Sequence, residues 1–203
     1  MHQEGEFLNP IPASLVLASR SPRRAEILRT AGWPFEVIAA DIDEAVLKGE
    51  DPISYVKRLA VQKARVVAAK AAEKLVLGAD TTVVIGNEIL GQPRDNADAH
   101  RMLTSLSGEW HQVITGVALV RQAKNALELV DHRTTRVRFA KLSAEQIDWY
   151  VSTGEPMGKA GAYAIQGKAA PFIEELEGDY FNVVGLPIRL VYELLERVYD
   201  QCA

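Results

Sequence analysis

The run Leu75-Val-Leu-Gly-Ala-Asp-Thr-Thr-Val-Val-Ile85 constrains this chain more than any other segment. Apolar and β-branched residues dominate it, so it reads as a buried strand. It is far short of the roughly 20 apolar residues that a membrane-spanning helix needs. One carboxylate, Asp80, interrupts it. Burying a carboxylate costs several kcal/mol, on the order of 2–5, unless it is paired, hydrogen-bonded or bound to a metal. Asp80 is therefore the leading catalytic candidate. The alternative is an aspartate in a strand-end turn, satisfied by neighbouring N–H groups.

Around this strand the sequence alternates helix and strand signals. Leu15-Val-Leu-Ala18 reads as a short strand, and Ser21-Pro22 offers an N-cap and first helical residue for a helix to about Thr30. Phe35 to Ile38 reads as a strand, Asp41 to Pro52 as a polar connection, and Ile53 to about Ala72 as a helix. The apolar stripe of that helix runs Val56, Leu59, Ala60, Val66, Val67, and Lys63 falls on the same face. Gly86-Asn87 turns the long strand back through Ile89 and Leu90. Further helices are expected from Asp95 to Leu106, from Ser143 to Ser152 and from Pro187 to Tyr199, and further strands over His111 to Val120, Thr134 to Phe139 and near Phe172-Ile173. Arg121 to Asn125 reads as a polar turn, and residues 1–13, with Pro10 and Pro12, as a flexible lead-in to one domain over residues 14–203. The mixture specifies an α/β fold with a mixed β-sheet and flanking helices.

Two segments beside Asp80 carry chemistry. Leu15 to Arg24 places a strand, a serine-rich turn and a helix N-terminus in succession, with Arg23 and Arg24 in the first helical turn. Free N–H groups and the helix dipole favour an anion there, and the Ser19 and Ser21 hydroxyls with Arg24 can add hydrogen bonds to it. The competing reading is a capped helix with surface arginines. Lys63 likewise either snorkels from its apolar stripe or, beside a buried aspartate, faces a phosphate. Gly161 to Lys168 approaches a phosphate-binding P-loop but fails it: five residues separate Gly161 from Gly167, and Ala169 stands where Ser or Thr should hold magnesium. No Gly-x-Ser-x-Gly elbow or Cys/His pairing suggests covalent catalysis, which leaves metal-assisted hydrolysis as the simplest chemistry.

Charge and cysteine content narrow the class. Acidic residues outnumber basic ones 27 to 23, so the chain has no basic footprint for nucleic acid and any polyanion is bound locally. The single cysteine, Cys202, has no partner, which suits a reducing compartment, and the polar, acidic start lacks the pattern of a secretory signal. A cytosolic protein that does not span a membrane is expected. The four histidines are scattered without ligand spacing, so a required metal is a hard cation, Mg²⁺ or Mn²⁺, held by carboxylates and phosphate.

Four segments, Leu17-Ala-Ser-Arg-Ser-Pro-Arg-Arg24, Leu77-Gly-Ala-Asp-Thr81, Gly161-Ala-Tyr-Ala-Ile-Gln-Gly167 and Asn182-Val-Val-Gly-Leu-Pro187, resemble in order the motifs of the Maf (septum formation protein) family. The resemblance spans Leu15 to Leu195. It implies two lobes around a cleft, an architecture like that of inosine triphosphatase, and hydrolysis of nucleoside triphosphates to monophosphate and pyrophosphate. It also implies that Asp80 is catalytic, Lys63 binds phosphate, Glu44 lies near the metal with Asp80, and Ser19 and Arg24 belong to the phosphate-binding loop. Arg23, Thr81 and Gln166 resemble the trio of the subgroup that acts on dTTP and UTP, not that of the 7-methyl-GTP subgroup, and a glutamine amide suits uracil because it both donates and accepts. One departure stands out: Gln92 occupies a place where the family usually has a phosphate-facing lysine, with Arg94 and Lys168 as candidates to replace its charge. The resemblance leaves room for a homodimer, and for a nucleotide-binding regulator of cell division with little turnover as the alternative to an enzyme.

Overall fold

The computed structural model describes residues 11–12, 15–71, 73–122 and 126–200. Cys202 and most of the expected lead-in lie outside these residues, as does most of the turn over 121–125. Within the lead-in, Ile11 packs against the core.

Fifteen elements follow in order: β1 Leu15–Leu17, α1 Pro22–Thr30, β2 Phe35–Val37, α2 Pro52–Ala68, β3 Leu75–Ile85, β4 Glu88–Leu90, α3 Asn96–Leu106, β5 Trp110–Arg121, β6 Leu127–Phe139, α4 Ala144–Ser152, 3₁₀ turns at Ala160–Ala162 and Ala170–Phe172, β7 Ile173–Glu177, α5 Tyr180–Val184 and α6 Ile188–Asp200. The seven strands form one sheet in the order β2-β1-β3-β5-β6-β7, with β4 paired to β3. β1 runs parallel to β2 and β3, and the other pairings are antiparallel, so the sheet is mixed as expected.

Alternation along the strands decides which helix covers which face. Leu15, Leu17, Leu75 and Leu77 point toward α1 and α6, and Val16, Ala18 and Val76 point to the face covered by α2. Farther along the long strands, Val83, Val113, Val137 and Phe139 pack with α3 and α4 in a separate core. The core is thus divided along β3, and Asp80 lies between the two parts.

Helix α2 crosses the sheet unusually closely because two glycines make room. A Cβ on Gly78 would stand 2.1 Å from the Ala60 carbonyl oxygen, and one on Gly116 would stand 2.4 Å from that of Val56. The buried stripe of α2 is Val56, Leu59, Ala60, Lys63, Ala64 and Val67, whereas Val66 turns half outward. Lys63 lies on that stripe as expected.

Three local expectations are corrected. α2 ends at Ala68, short of the expected end near Ala72, a residue outside the described set. β6 begins at Leu127 instead of Thr134, because its pairing with β5 runs unbroken from Arg121↔Leu127 even through the polar residues Asp131, His132 and Arg133 that hide the alternation. α5 was not anticipated: its cap, Asp179, accepts from the N–H groups of Phe181 and Asn182.

Candidate active site

β1 stops at Leu17, and the chain turns through Ser19 to Ser21 into α1. Ser21 occupies the N-cap position but makes no side-chain cap, contrary to expectation. Instead its N–H donates to Ser19 Oγ at 3.1 Å, so the Ser19 hydroxyl organises the turn. Arg24, one turn into the helix, points inward and is only 8% exposed. Its guanidinium donates from Nε to the Gly185 carbonyl at 2.8 Å, from Nη1 to the Ala79 carbonyl at 2.8 Å and Ser19 Oγ at 3.2 Å, and from Nη2 to Thr81 Oγ1 at 3.0 Å. A guanidinium has five N–H groups, so these four bonds leave roughly one for a ligand. Arg24 therefore clamps β1–α1, β3 and the α5–α6 junction together.

The facing sides of α2 and β3 meet at a buried ion pair, which the exposed Glu44 joins from the connection before α2. Lys63 Nζ lies 2.6 Å from Asp80 Oδ1 and 2.7 Å from Glu44 Oε1, with Lys63 8% and Asp80 6% exposed. Asp80 pairs across the sheet with Gly116, the residue over which α2 is seated, which explains how a lysine on α2 reaches it. Burial lifts the Asp80 carboxyl above the ordinary carboxylate range, with the charges of Lys63 and Arg24 opposing the rise. Sequence inspection missed Tyr55, whose hydroxyl donates to the Glu44 carbonyl oxygen at 3.0 Å and so steadies the polar connection before α2. Burial, followed by the charges of Asp80 and Glu44, pushes the Tyr55 phenol up to about 12.

Thr81 presents little of its hydroxyl to a ligand. Its Oγ1 lies 2.9 Å from Thr115 Oγ1 and accepts from Arg24, while Thr115 donates to the Asn182 carbonyl at 3.2 Å. Asn182 is fully buried, and its Nδ2 donates to the Val113 carbonyl at 2.9 Å and Thr135 Oγ1 at 3.0 Å. The Asn182 to Pro187 segment thus holds the floor of the site to the sheet.

Together these residues line a cleft of about 540 Å³. Ser19, Arg23, Arg24, Glu44, Lys63, Asp80, Thr81, Gln92 and Gln166 all line it, so these nine candidates from the sequence are brought to one place. The two proposed substitutes for the charge missing at Gln92 are not. Arg94 Nε is bonded to Asp98 Oδ2 at 3.0 Å, and Lys168 lies outside the cleft lining. Lys159, from the glycine-rich segment, lines it instead. Flanking Gly158 and Gly161, both with positive φ, were the signal that this segment bends sharply enough to present a side chain.

A family model described as Maf-like protein matches residues 14–198. The chain belongs to the Maf family. A dTTP/UTP pyrophosphatase of Symbiobacterium thermophilum is 55% identical over 181 residues, covering 89% of this chain and 92% of that protein. One from Anaeromyxobacter dehalogenans is 53% identical over 184 residues, covering 90% and 93%. Among solved structures, the Staphylococcus aureus Ham1 protein superposes with a TM-score of 0.52 at 16% identity, over 90% of this chain and 98% of its own. A HAM1 protein from Coxiella burnetii gives 0.51 at 16%, over 92% and 100%. Those two likenesses concern the fold, and they agree with the α/β architecture expected for a Maf protein.

Proposed function

We propose that this Maf protein is a nucleoside triphosphate pyrophosphatase that hydrolyses dTTP and UTP to the monophosphate and pyrophosphate. The observation that carries the reading is the buried Lys63–Asp80 ion pair facing the cleft, with the exposed Glu44 joined to Lys63 at its edge, in a chain 55% identical to a dTTP/UTP pyrophosphatase.

The chemistry needs a positioned water, charge neutralisation along the polyphosphate and a departing pyrophosphate. Asp80 is the group placed to orient that water and take its proton, because burial raises its basicity. Lys63 keeps Asp80 in one rotamer and offers its remaining N–H to phosphate. Ser19 and the first turn of α1 present a hydroxyl and N–H groups to the same anion. Arg24 holds Ala79 and Thr81, the residues on either side of Asp80, and so fixes the carboxylate's direction. Gln166 is exposed in the cleft, where its amide can donate to a pyrimidine carbonyl and accept from the ring N–H.

A divalent cation such as Mg²⁺ or Mn²⁺ fits this donor set when the substrate completes it. Asp80 and Glu44 supply hard oxygen ligands that converge on a single point, the Lys63 ammonium. Among the described residues no group of three or more His, Cys, Asp or Glu side chains could hold a metal. Magnesium is ordinarily bound by one or two carboxylates plus substrate phosphates, which is the pattern available here. When bound, such a cation supplies neutralisation of phosphate charge.

Pyrophosphate release from a panel of triphosphates, with and without Mg²⁺ or Mn²⁺, tests the function. dTTP and UTP are expected to be turned over fastest. Faster hydrolysis of 7-methyl-GTP, or no release from any triphosphate, overturns the reading.

A further inference from the structure

Gln166, which meets the pyrimidine in the proposed reaction, sits on a short turn. The Gly167 N–H donates to the Ala164 carbonyl at 3.2 Å, which makes Ile165 and Gln166 the two corner residues. Ile165 packs against the core beneath, and Gln166 is exposed in the cleft. A turn closed by one backbone bond opens easily unless it is tied down from outside.

The tie comes from two residues that do not line the cleft. Tyr150 is fully buried on α4, in the core that this helix shares with α3. Its hydroxyl donates to Glu155 Oε1 at 3.0 Å and accepts from the Ala164 N–H at 3.3 Å. Glu155 Oε1 accepts a second bond, from the Lys168 N–H at 2.9 Å. Backbone on both sides of Gln166 is thus held by one hydroxyl and one carboxylate oxygen. Burial, followed by the bond to Glu155, pushes the Tyr150 phenol above its ordinary range, so the tyrosine keeps its proton and remains the donor. Gly167 completes the contact: a Cβ there would stand 2.3 Å from Glu155 Oε1, so the carboxylate lies directly on the turn.

The end of α4 brings Glu155 to this place. Thr153 Oγ1 donates to the Tyr150 carbonyl at 2.7 Å and accepts from the Glu155 N–H at 3.2 Å. Gly154, with positive φ, reverses the chain between them, and Glu155 returns to Tyr150.

We propose that Tyr150 and Glu155 are positioning residues for Gln166, fixing the turn that presents its amide to the base. The proposal deepens the pyrophosphatase reading and rests on it for the part that Gln166 plays. Both residues act through Gln166 and leave the phosphate chemistry at Asp80 untouched.

A double-mutant cycle in dTTP kinetics tests this. Gln166→Ala removes the amide, and Glu155→Ala removes the acceptor that holds the turn. Each is expected to raise KM for dTTP by up to about tenfold, the scale of one or two hydrogen bonds, with kcat within about twofold, because the binding lost is shared by substrate and transition state. Tyr150→Phe keeps the ring in the core, deletes the hydroxyl and should match Glu155→Ala. The two alanine substitutions together should raise KM no further than Gln166→Ala alone, since nothing is left to position. Glu155→Gln keeps an acceptor oxygen and should restore most of the affinity. Inhibition by inorganic tripolyphosphate, which lacks a base, should stay within about twofold in every variant. Effects of Glu155→Ala and Gln166→Ala that multiply, an equal loss of tripolyphosphate affinity, no restoration by Glu155→Gln, or an unchanged KM in a folded Glu155→Ala protein, overturns the proposal.

A second measurement uses the unmodified protein and does not depend on a variant folding. Lys168 is exposed, yet its N–H should be protected from hydrogen exchange because Glu155 Oε1 accepts from it. Exchange at the rate of a free exposed amide, read by NMR, overturns the positioning role. Neither this measurement nor calorimetric titration with dTTP needs turnover. If the protein releases no pyrophosphate from any triphosphate, the enzymatic reading falls, and the same cycle run on dissociation constants for dTTP still decides whether Tyr150 and Glu155 position Gln166.

Discussion

In the proposed reaction Asp80 concentrates the chemistry of the site in one side chain whose cost of burial Lys63, at 2.6 Å, offsets only in part. Asp80→Asn preserves shape and removes the base. Turnover of dTTP is expected to fall at least about a hundredfold, the lower range for general acid–base assistance, while the circular dichroism spectrum is retained. A folded and fully active variant would refute the role. His111 is a different kind of buried residue. Its Nε2 lies 2.8 Å from the Tyr163 hydroxyl, and burial holds the imidazole down to about 4. The folded pKa lies below that of the unfolded chain, about 6.5, so between these values the unfolded state binds more protons. Stability should therefore fall as pH drops through that window, by about 3 kcal/mol in total, and the loss should level off below it. Urea unfolding at pH 7, 5.5 and 4.5 reads the effect. His111→Phe should remove this component of the pH slope, whatever it does to stability at neutral pH.

At the scale of elements, the contact between α2 and the β3–β5 pair decides whether Lys63 meets Asp80. That contact depends on missing side chains at Gly78 and Gly116, opposite the backbone of Ala60 and Val56. Gly116→Ala would press a methyl group against the Val56 carbonyl, and backbone cannot rotate aside as a side chain can. We expect a loss of about 1–3 kcal/mol in urea unfolding, the usual cost of overpacking. Lys63 lies two turns along α2 from Val56, so the displaced helix should also lose turnover on dTTP. Gly91→Ala is the comparison for stability: a Cβ there meets nothing within 4 Å, and its effect should stay within about 0.5 kcal/mol. Equal stability of the two variants would show that α2 is not seated by Gly116. The sequence made the helix legible through its stripe, with Lys63 on it. It did not reveal why the stripe approaches so closely, because a glycine within a strand signals close approach of backbone without saying by what.

At the scale of the whole molecule, the cleft draws on segments far apart in the chain: the β1–α1 turn, the connection before α2, mid-β3, the 158–166 segment and the α5–α6 junction. A ligand that touches all of them ties them together. dTTP with Mg²⁺, added at about 100 times its dissociation constant to the Asp80→Asn protein, should stabilise it by about 2.7 kcal/mol. For a chain of this size that corresponds to roughly 5–10 °C in Tm, provided the slowed enzyme still binds. A thermal melt showing no shift, with binding verified by calorimetry, would place the ligand outside the cleft. Local periodicity and the cost of burying charge make the alternation that builds the mixed sheet, the amphipathic stripes of the helices and the buried carboxylate that must find a partner legible in the chain before it folds. Which cations keep free donors emerges with the tertiary contacts. Arg24 reads as a phosphate ligand from its place at a helix N-terminus, yet carbonyl and hydroxyl oxygens from Ser19, Ala79, Thr81 and Gly185 claim most of its donors. Arg94 reads as a nearby substitute for missing charge, yet Asp98 holds it. Lys159 stood unnoticed in a glycine-rich stretch and faces the cleft. A side chain's hydrogen-bonding capacity is a local property, but which partners exhaust it depends on residues up to 161 positions away, and only the folded chain brings those together.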